Sequence, residues 1–141
     1  MAETVAQAVV KTAVVEPDRA HSGIPGLDDL LNGGIPRGNL CVVSGDPGSG
    51  KTSFCLSFLY YGAIRFNEPG VYISLEESEE EIIKEASYFG WDLPALIKQR
   101  KLLISTVSLY DFDKLKNAIE DAVERIGAKR IADLFKSVNA L

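Results

Sequence analysis

The sequence predicts an α/β domain, a parallel sheet with flanking helices. Three observations carry that prediction. Short apolar runs alternate with longer amphipathic ones along the chain, the pattern of strand–helix–strand units. One apolar run, Leu40-Cys41-Val42-Val43-Ser44, leads through a glycine-rich turn straight into a helical segment. The capping residues fall where each helix should start or stop.

At 141 residues the chain has the length of one domain. Its 46% hydrophobic and 25% charged content is ordinary for a soluble globular protein. A net charge of −5 disfavours a broad nucleic-acid surface or an anionic membrane as partner. No apolar run approaches the ~20 residues that span a bilayer. The N-terminus lacks the charged, apolar and cleavable series of a signal peptide, so a cytoplasmic protein is expected. Cys41 and Cys55 have no metal-ligand spacing and read as two buried thiols in a reducing compartment. His21 is the single histidine, which leaves no histidine-based cluster to propose.

Taken in order, residues 1–20 form an N-terminal lead-in, with Val9, Val10, Val14 and Val15 around Lys11 as a strand or a frayed end. Pro25-Gly26 marks a turn, residues 27–31 a short helix, and Gly33-Gly34 its stop. Pro36-Arg37-Gly38 turns the chain into the strand at Leu40.

Residues 45–52, Gly-Asp-Pro-Gly-Ser-Gly-Lys-Thr, fit G-x-x-x-x-G-K-[ST] with strand before and helix after. Gly45, Gly48 and Gly50 can take backbone angles closed to other residues. Successive N–H groups of Gly45, Asp46, Pro47 (which donates none), Gly48, Ser49 and Gly50 can then surround a phosphate. The helix behind adds its unpaired N–H groups and positive dipole end. Lys51 is placed for the outer phosphates, Thr52 for magnesium and Ser53 for an inner phosphate.

The helix over residues 51–66 is apolar on most faces, from Phe54 to Ile64, and ends at Asn67-Glu68-Pro69-Gly70. Val71 to Leu75 is a buried strand. Ser78 with Glu81 makes a capping box opening a helix to about Phe89, with Ile82, Ile83, Ala86 and Phe89 inward. Glu79, Glu80 and Glu81 are explained as its dipole-favoured first turn. Glu76 and Glu77 lie before the cap, at the carboxyl end of a strand, where open α/β sheets bind ligands. A carboxylate there can hold a water in line with a γ-phosphate. A short helix from Trp91 to Arg100, a strand over residues 102–105, and a helix from Asp111 or Asp113 to Ile126 follow. The last carries Leu115, Ile119, Val123 and Ile126 on one face.

These residues resemble the KaiC-like branch of the RecA superfamily of P-loop ATPases. The resemblance rests on Ser22 to Leu31 followed by Gly33 to Gly38, on the Walker A loop Gly45–Thr52, on Glu68 to Glu77 with its paired glutamates, and on Phe89-Gly90-Trp91-Asp92-Leu93. It implies one RecA-like domain over residues 21–141, ATP and magnesium as ligands, and hydrolysis by a water that Glu76 or Glu77 activates. It also implies assembly into a ring, commonly a hexamer, with nucleotide between subunits.

The family next has an apolar strand ending in Asp-Ser, the Walker B element. Here the chain reads Lys129 to Leu141, and either Lys136 stands at the aspartate or Asp133 follows too few apolar residues. Ile131, Leu134, Phe135 and Val138 also have helical spacing, so a terminal amphipathic helix is an alternative. The chain therefore reads as the N-terminal part of such a domain, with magnesium-dependent ATP binding expected and weak turnover by this chain alone. The alternatives are a non-catalytic nucleotide-binding or partner module of a longer paralog, and a DNA-recombination accessory.

Overall fold

The computed structural model describes residues 18–108 and 110–134, the last two by backbone alone. The lead-in up to residue 17, with its valines, and the segment carrying Lys136 lie outside the described residues. The elements are β1 (Arg19–Ala20), α1 (Leu27–Leu30), β2 (Ile35–Pro36), α2 (Lys51–Arg65), β3 (Gly70–Ser74), α3 (Glu79–Ser87), α4 (Leu93–Lys98), β4 (Leu102–Thr106), α5 (Phe112–Ile126) and β5 (Arg130–Leu134).

β3 is the central strand of a parallel sheet ordered β4-β3-β5, with Tyr72 opposite Ile104 on one side and Ala132 on the other. All five of its residues are buried, as expected for a parallel strand covered on both faces. Period two then divides its side chains. Tyr72 joins Leu56, Leu59, Ile82, Ala86, Leu93 and Leu102 beneath α2, α3 and α4. Val71 and Ile73 point the other way, with Val107 and Ala122, beneath α5.

Handedness explains the layering. The chain leaves β3 for β4 on one side, then crosses back over β3 to reach β5 on the other. Right-handed crossovers in opposite directions must use opposite faces. So α3 and α4 cover one face and α5 the other, and strand order reverses at β3.

Local chemistry sets the helix ends. Ser78 Oγ accepts from the Glu81 N–H while the Glu81 carboxylate accepts from the Ser78 N–H, the capping box expected. Asp92 and Asp111 cap α4 and α5. Gly127 closes α5 in the left-handed region at φ 64°.

Several expectations are corrected. Residues 40–44 form no strand, and Leu40 and Val42 are 91% and 79% exposed. A strand exists only through ladder partners, and no described strand lies beside this one. Cys41 is consequently exposed and Cys55 partly buried, with no disulfide. Ile35–Pro36 is itself a strand, paired antiparallel with Arg19–Ala20. Phe89 is half exposed and stacks on Trp91 at 4.7 Å instead of facing inward. On α5 the buried position is Ala122, and Val123 is half exposed. The helical alternative for the C-terminal stretch fails over residues 130–134, where pairing with β3 imposes a strand despite the spacing of Ile131 and Leu134.

One ionic network ties the layers. The Arg130 side chain, 1% exposed, donates Nε to Glu68 Oε2 at 2.6 Å and Nη1 to the Phe58 carbonyl at 3.0 Å. Its guanidinium faces the Phe58 and Phe66 rings, 4.4 and 5.5 Å from their centroids. Glu68 Oε1 accepts from Arg37, which also pairs with Asp18 at 3.1 Å. Gly62 makes room: a Cβ there would meet Arg130 Cδ at 2.5 Å. Burial alone would raise the Glu68 pKa, but the hydrogen bonds from Arg37 and Arg130 outweigh it and hold the carboxyl below its ordinary 4.5.

A depressed carboxyl pKa stabilises the fold above the unfolded value, and the contribution fades as pH falls through the folded one. We expect Glu68→Gln to cost about 3 kcal/mol near neutral pH, because it leaves the Arg130 charge buried and unpaired. Urea unfolding across pH should show the full parent–variant difference above pH 4.5 and a shrinking one below it.

Candidate nucleotide site

The geometry of α2 decides where the glycine-rich loop sits. The C-terminal half of α2 lies against the strand beginnings: Phe58 and Gly62 meet Arg130, and a Cβ on Gly70 would strike Leu59 at 2.7 Å. Its N-terminal turn is therefore at the carboxyl ends of β3 and β5. That is the crevice where strand order reverses, the usual ligand position in open α/β sheets.

The loop over residues 45–50 is exposed throughout. Gly48 and Gly50 have φ of 79° and 93°, in the left-handed region expected of them. Gly45 does not; a Cβ there would lie 2.5 Å from Ser49 Oγ, an exposed hydroxyl free to rotate away. The Ser49 N–H closes a turn on the Asp46 carbonyl at 3.1 Å. α2 begins at Gly50 with no side-chain cap, whereas α3, α4 and α5 are each capped by a serine or aspartate. The first N–H groups of α2 are thus left for another acceptor.

Lys51 Nζ donates to the carbonyls of Gly45 at 2.7 Å and Asp46 at 2.9 Å. The ammonium sits inside the loop, where it holds its shape and is poised to exchange carbonyl oxygens for stronger anionic acceptors. Thr52 is partly buried at the next position. Ser53 Oγ donates to Glu85 Oε1 of α3 at 3.1 Å, so the hydroxyl expected at an inner phosphate is here engaged with a neighbouring helix.

Glu76 and Glu77 follow β3 as expected but differ in setting. The Glu76 side chain is exposed, while Glu77 is partly buried with one carboxylate oxygen out of solvent. The Glu77 backbone is fixed at both ends: its N–H donates to Ser74 Oγ at 2.8 Å, and its carbonyl accepts from Thr106 Oγ1 at 3.3 Å. Asp133 lies opposite Ile73 in β5, one position short of the strand's end.

The region before the loop is built around Asp28. Its carboxylate accepts from the N–H groups of Ser22 at 2.7 Å and Gly23 at 3.2 Å. Burial opposes ionisation, yet these bonds and His21 hold the Asp28 pKa below its ordinary value. Arg65 of α2 donates to the Gly23 carbonyl at 3.0 Å. A Cβ on Gly23 would meet Tyr61 at 2.5 Å, so the segment packs directly on α2.

Among the described residues, no group of three or more His, Cys, Asp or Glu side chains is arranged to hold a metal ion. Magnesium needs no such cage, since it is commonly held by one or two protein oxygens, water and substrate phosphates. An uncapped helix, a donor-lined loop and the adjacent Thr52 hydroxyl fit a magnesium–polyphosphate ligand. No helix among the described residues is long and apolar enough to cross a membrane.

The family model for the ATPase KaiC matches residues 20–138. The circadian clock oscillator protein KaiC of Synechococcus elongatus is 40% identical over 119 residues, covering 77% of this chain and 23% of that protein. A UPF0273 protein of Methanocaldococcus jannaschii is 37% identical over 130 residues, covering 80% of this chain and 54% of its own length. The crystal structure of a KaiC-like protein from Pyrococcus horikoshii superposes with a TM-score of 0.77 at 38% identity, covering 82% of this chain and 52% of that one. The chain thus spans about a quarter of the KaiC relatives and about half of the two archaeal proteins.

Ser74 is 2% exposed, so its loss leaves the Glu77 N–H without its acceptor in a poorly hydrated place. Ser74→Ala is expected to cost about 1–3 kcal/mol. Hydrogen exchange should show faster turnover at the Glu77 amide, with the α3 amides little changed.

Proposed function

The chain belongs to the KaiC family of ATPases, and from that premise we propose that it binds ATP with magnesium at residues 45–53. The observation that supports this most is the loop before α2. It combines left-handed Gly48 and Gly50, an uncapped helix start, and a lysine that satisfies itself on the loop's own carbonyls.

In this reading the N–H groups of the loop and of the first turn of α2 take the phosphate oxygens. Lys51 leaves the Gly45 and Asp46 carbonyls for the outer phosphates. Thr52 contributes its hydroxyl to magnesium, which when bound neutralises phosphate charge. Ser53 gives up Glu85 for an inner phosphate. The two glutamates divide the remaining work. Glu76, open to solvent, orients the attacking water, and Glu77, turned inward and pinned through its backbone, shapes the wall of the site.

Homo-oligomeric assembly with nucleotide between subunits belongs to the same proposal and is supported by the family. Cytoplasmic residence belongs to it too, supported by two cysteines that form no disulfide.

Titration with a fluorescent ATP analogue, with magnesium and with chelator, tests the reading. The parent should bind in a magnesium-dependent way. Lys51→Ala should weaken binding by about 10–100-fold, the worth of hydrogen bonds to a charged group. Equal affinity in the Lys51→Ala chain contradicts the assignment. Glu76→Gln should keep nucleotide affinity and lower any hydrolysis by about 100-fold or more. Binding without hydrolysis in the parent identifies a nucleotide-binding module instead of an ATPase.

A further inference from the structure

Glu85 is a carboxylate with no local reason for its position. It lies in the last turn of α3, where the negative end of the helix dipole opposes an acidic side chain. Glu79, Glu80 and Glu81 gain from the first turn of that helix, and Glu85 does not. It is partly buried, and among the described residues no lysine, arginine or histidine forms an ion pair with it. What it does hold is a hydroxyl of the neighbouring helix: Ser53 Oγ donates to Glu85 Oε1 at 3.1 Å.

Ser53 is the third residue of α2, in the uncapped first turn assigned above to phosphate. A serine hydroxyl carries one proton to donate. Ser53 therefore cannot serve Glu85 and an inner phosphate together. The carboxylate has little room to retreat. Ile82 and Ala86, on either side of it in α3, are fully buried in one core with Leu56 and Leu59 of α2, and the capping box at Ser78 fixes the start of the helix. A phosphate oxygen that takes the Ser53 proton comes to rest roughly 5 Å from the carboxylate, about two hydrogen-bond lengths measured around one oxygen. At that distance, near a protein surface, two like charges repel appreciably.

We propose that Glu85 is a built-in competitor of the inner phosphate. Before nucleotide binds, it accepts the Ser53 hydrogen bond. When nucleotide binds, that bond passes to the phosphate and Glu85 is left as an uncompensated charge beside it. The contact is autoinhibitory: it weakens binding of every ligand with a phosphate at that position, ATP and ADP alike, and speeds their release. The proton stays on Ser53 throughout, and only its acceptor changes. The assignment rests on the nucleotide reading above.

The test is Glu85→Gln, which keeps the shape and an acceptor but removes the charge, made in the parent and in a Ser53→Ala background and read by ADP binding with magnesium. In the parent background the substitution should tighten ADP binding about tenfold and slow its release. In the Ser53→Ala background it should gain only about threefold, the part due to charge repulsion alone. A merely structural Glu85 gives a lower melting temperature with equal or weaker ADP binding, and that result overturns the proposal. Equal gains in the two backgrounds also overturn it, since no competition for Ser53 is then involved. Unchanged affinity overturns the proposal and leaves nucleotide binding standing. Absence of ADP binding in every chain overturns the nucleotide reading and this role with it. Should Glu85→Gln fail to fold, the parent decides: its Glu85 δ-carbon resonance should shift on adding magnesium and ADP, and an unshifted signal overturns the proposal.

Discussion

The buried guanidinium of Arg130 is the constraint on which the arrangement depends. It enters the sheet at the first residue of β5, faces the rings of Phe58 in α2 and Phe66 just past its end, and shares Glu68 with Arg37 of the preceding segment. Three pieces of chain distant in sequence thereby meet at one carboxylate. A paired interior charge is weak evidence for added stability, but it becomes costly once either partner is lost. Its main consequence here is geometric. By fastening the C-terminal half of α2 to the starts of β3 and β5, it commits the other end of that helix to their carboxyl ends. The glycine-rich loop is placed by a clamp some three helical turns away.

At that far end, the protein combines a fixed floor with an open rim. The floor is the end of β3, where Ser74 and Thr106 hold the Glu77 backbone and Ser78 starts α3 with both halves of its capping box in place. The rim is the exposed run from Leu40 to Gly50, which pairs with no described strand. Lys51 lends the rim internal order through two backbone carbonyls. Such a division suits a site whose acidic groups must be preset while its donors close around an anion.

Legibility in the sequence followed the range of the interactions. The capping box at Ser78, the stop at Gly127 and the helix behind Lys51 depend on residues within a turn of one another, and each was readable. The glycine-rich turn into a helix was readable because glycine, lysine and threonine stand there at a fixed spacing, and Glu76 and Glu77 stood out by their place after a buried strand. The apolar run from Leu40 to Val43 looked like a strand, but ladder partners decide a strand and local composition does not contain them. The stretch at Ile131 and Leu134 allowed a helix until pairing with β3 settled it. On α5 a shift of one position exchanges Ala122 for Val123 at the core, a difference that periodicity alone resolves poorly. Arg130 and Glu68 are 62 residues apart, and neither carries a local signal of the other.

In the proposed function the loop at the carboxyl edge of the sheet, and no other surface, receives a magnesium nucleotide. The most direct measurement is an amide NMR titration of the labelled chain with magnesium and ATP. The largest shifts should fall on Gly48, Ser49, Gly50, Lys51 and Thr52, with smaller ones at Glu76 and Glu77 and almost none on α5. Unmoved loop amides, or shifts centred away from the start of α2, would contradict it.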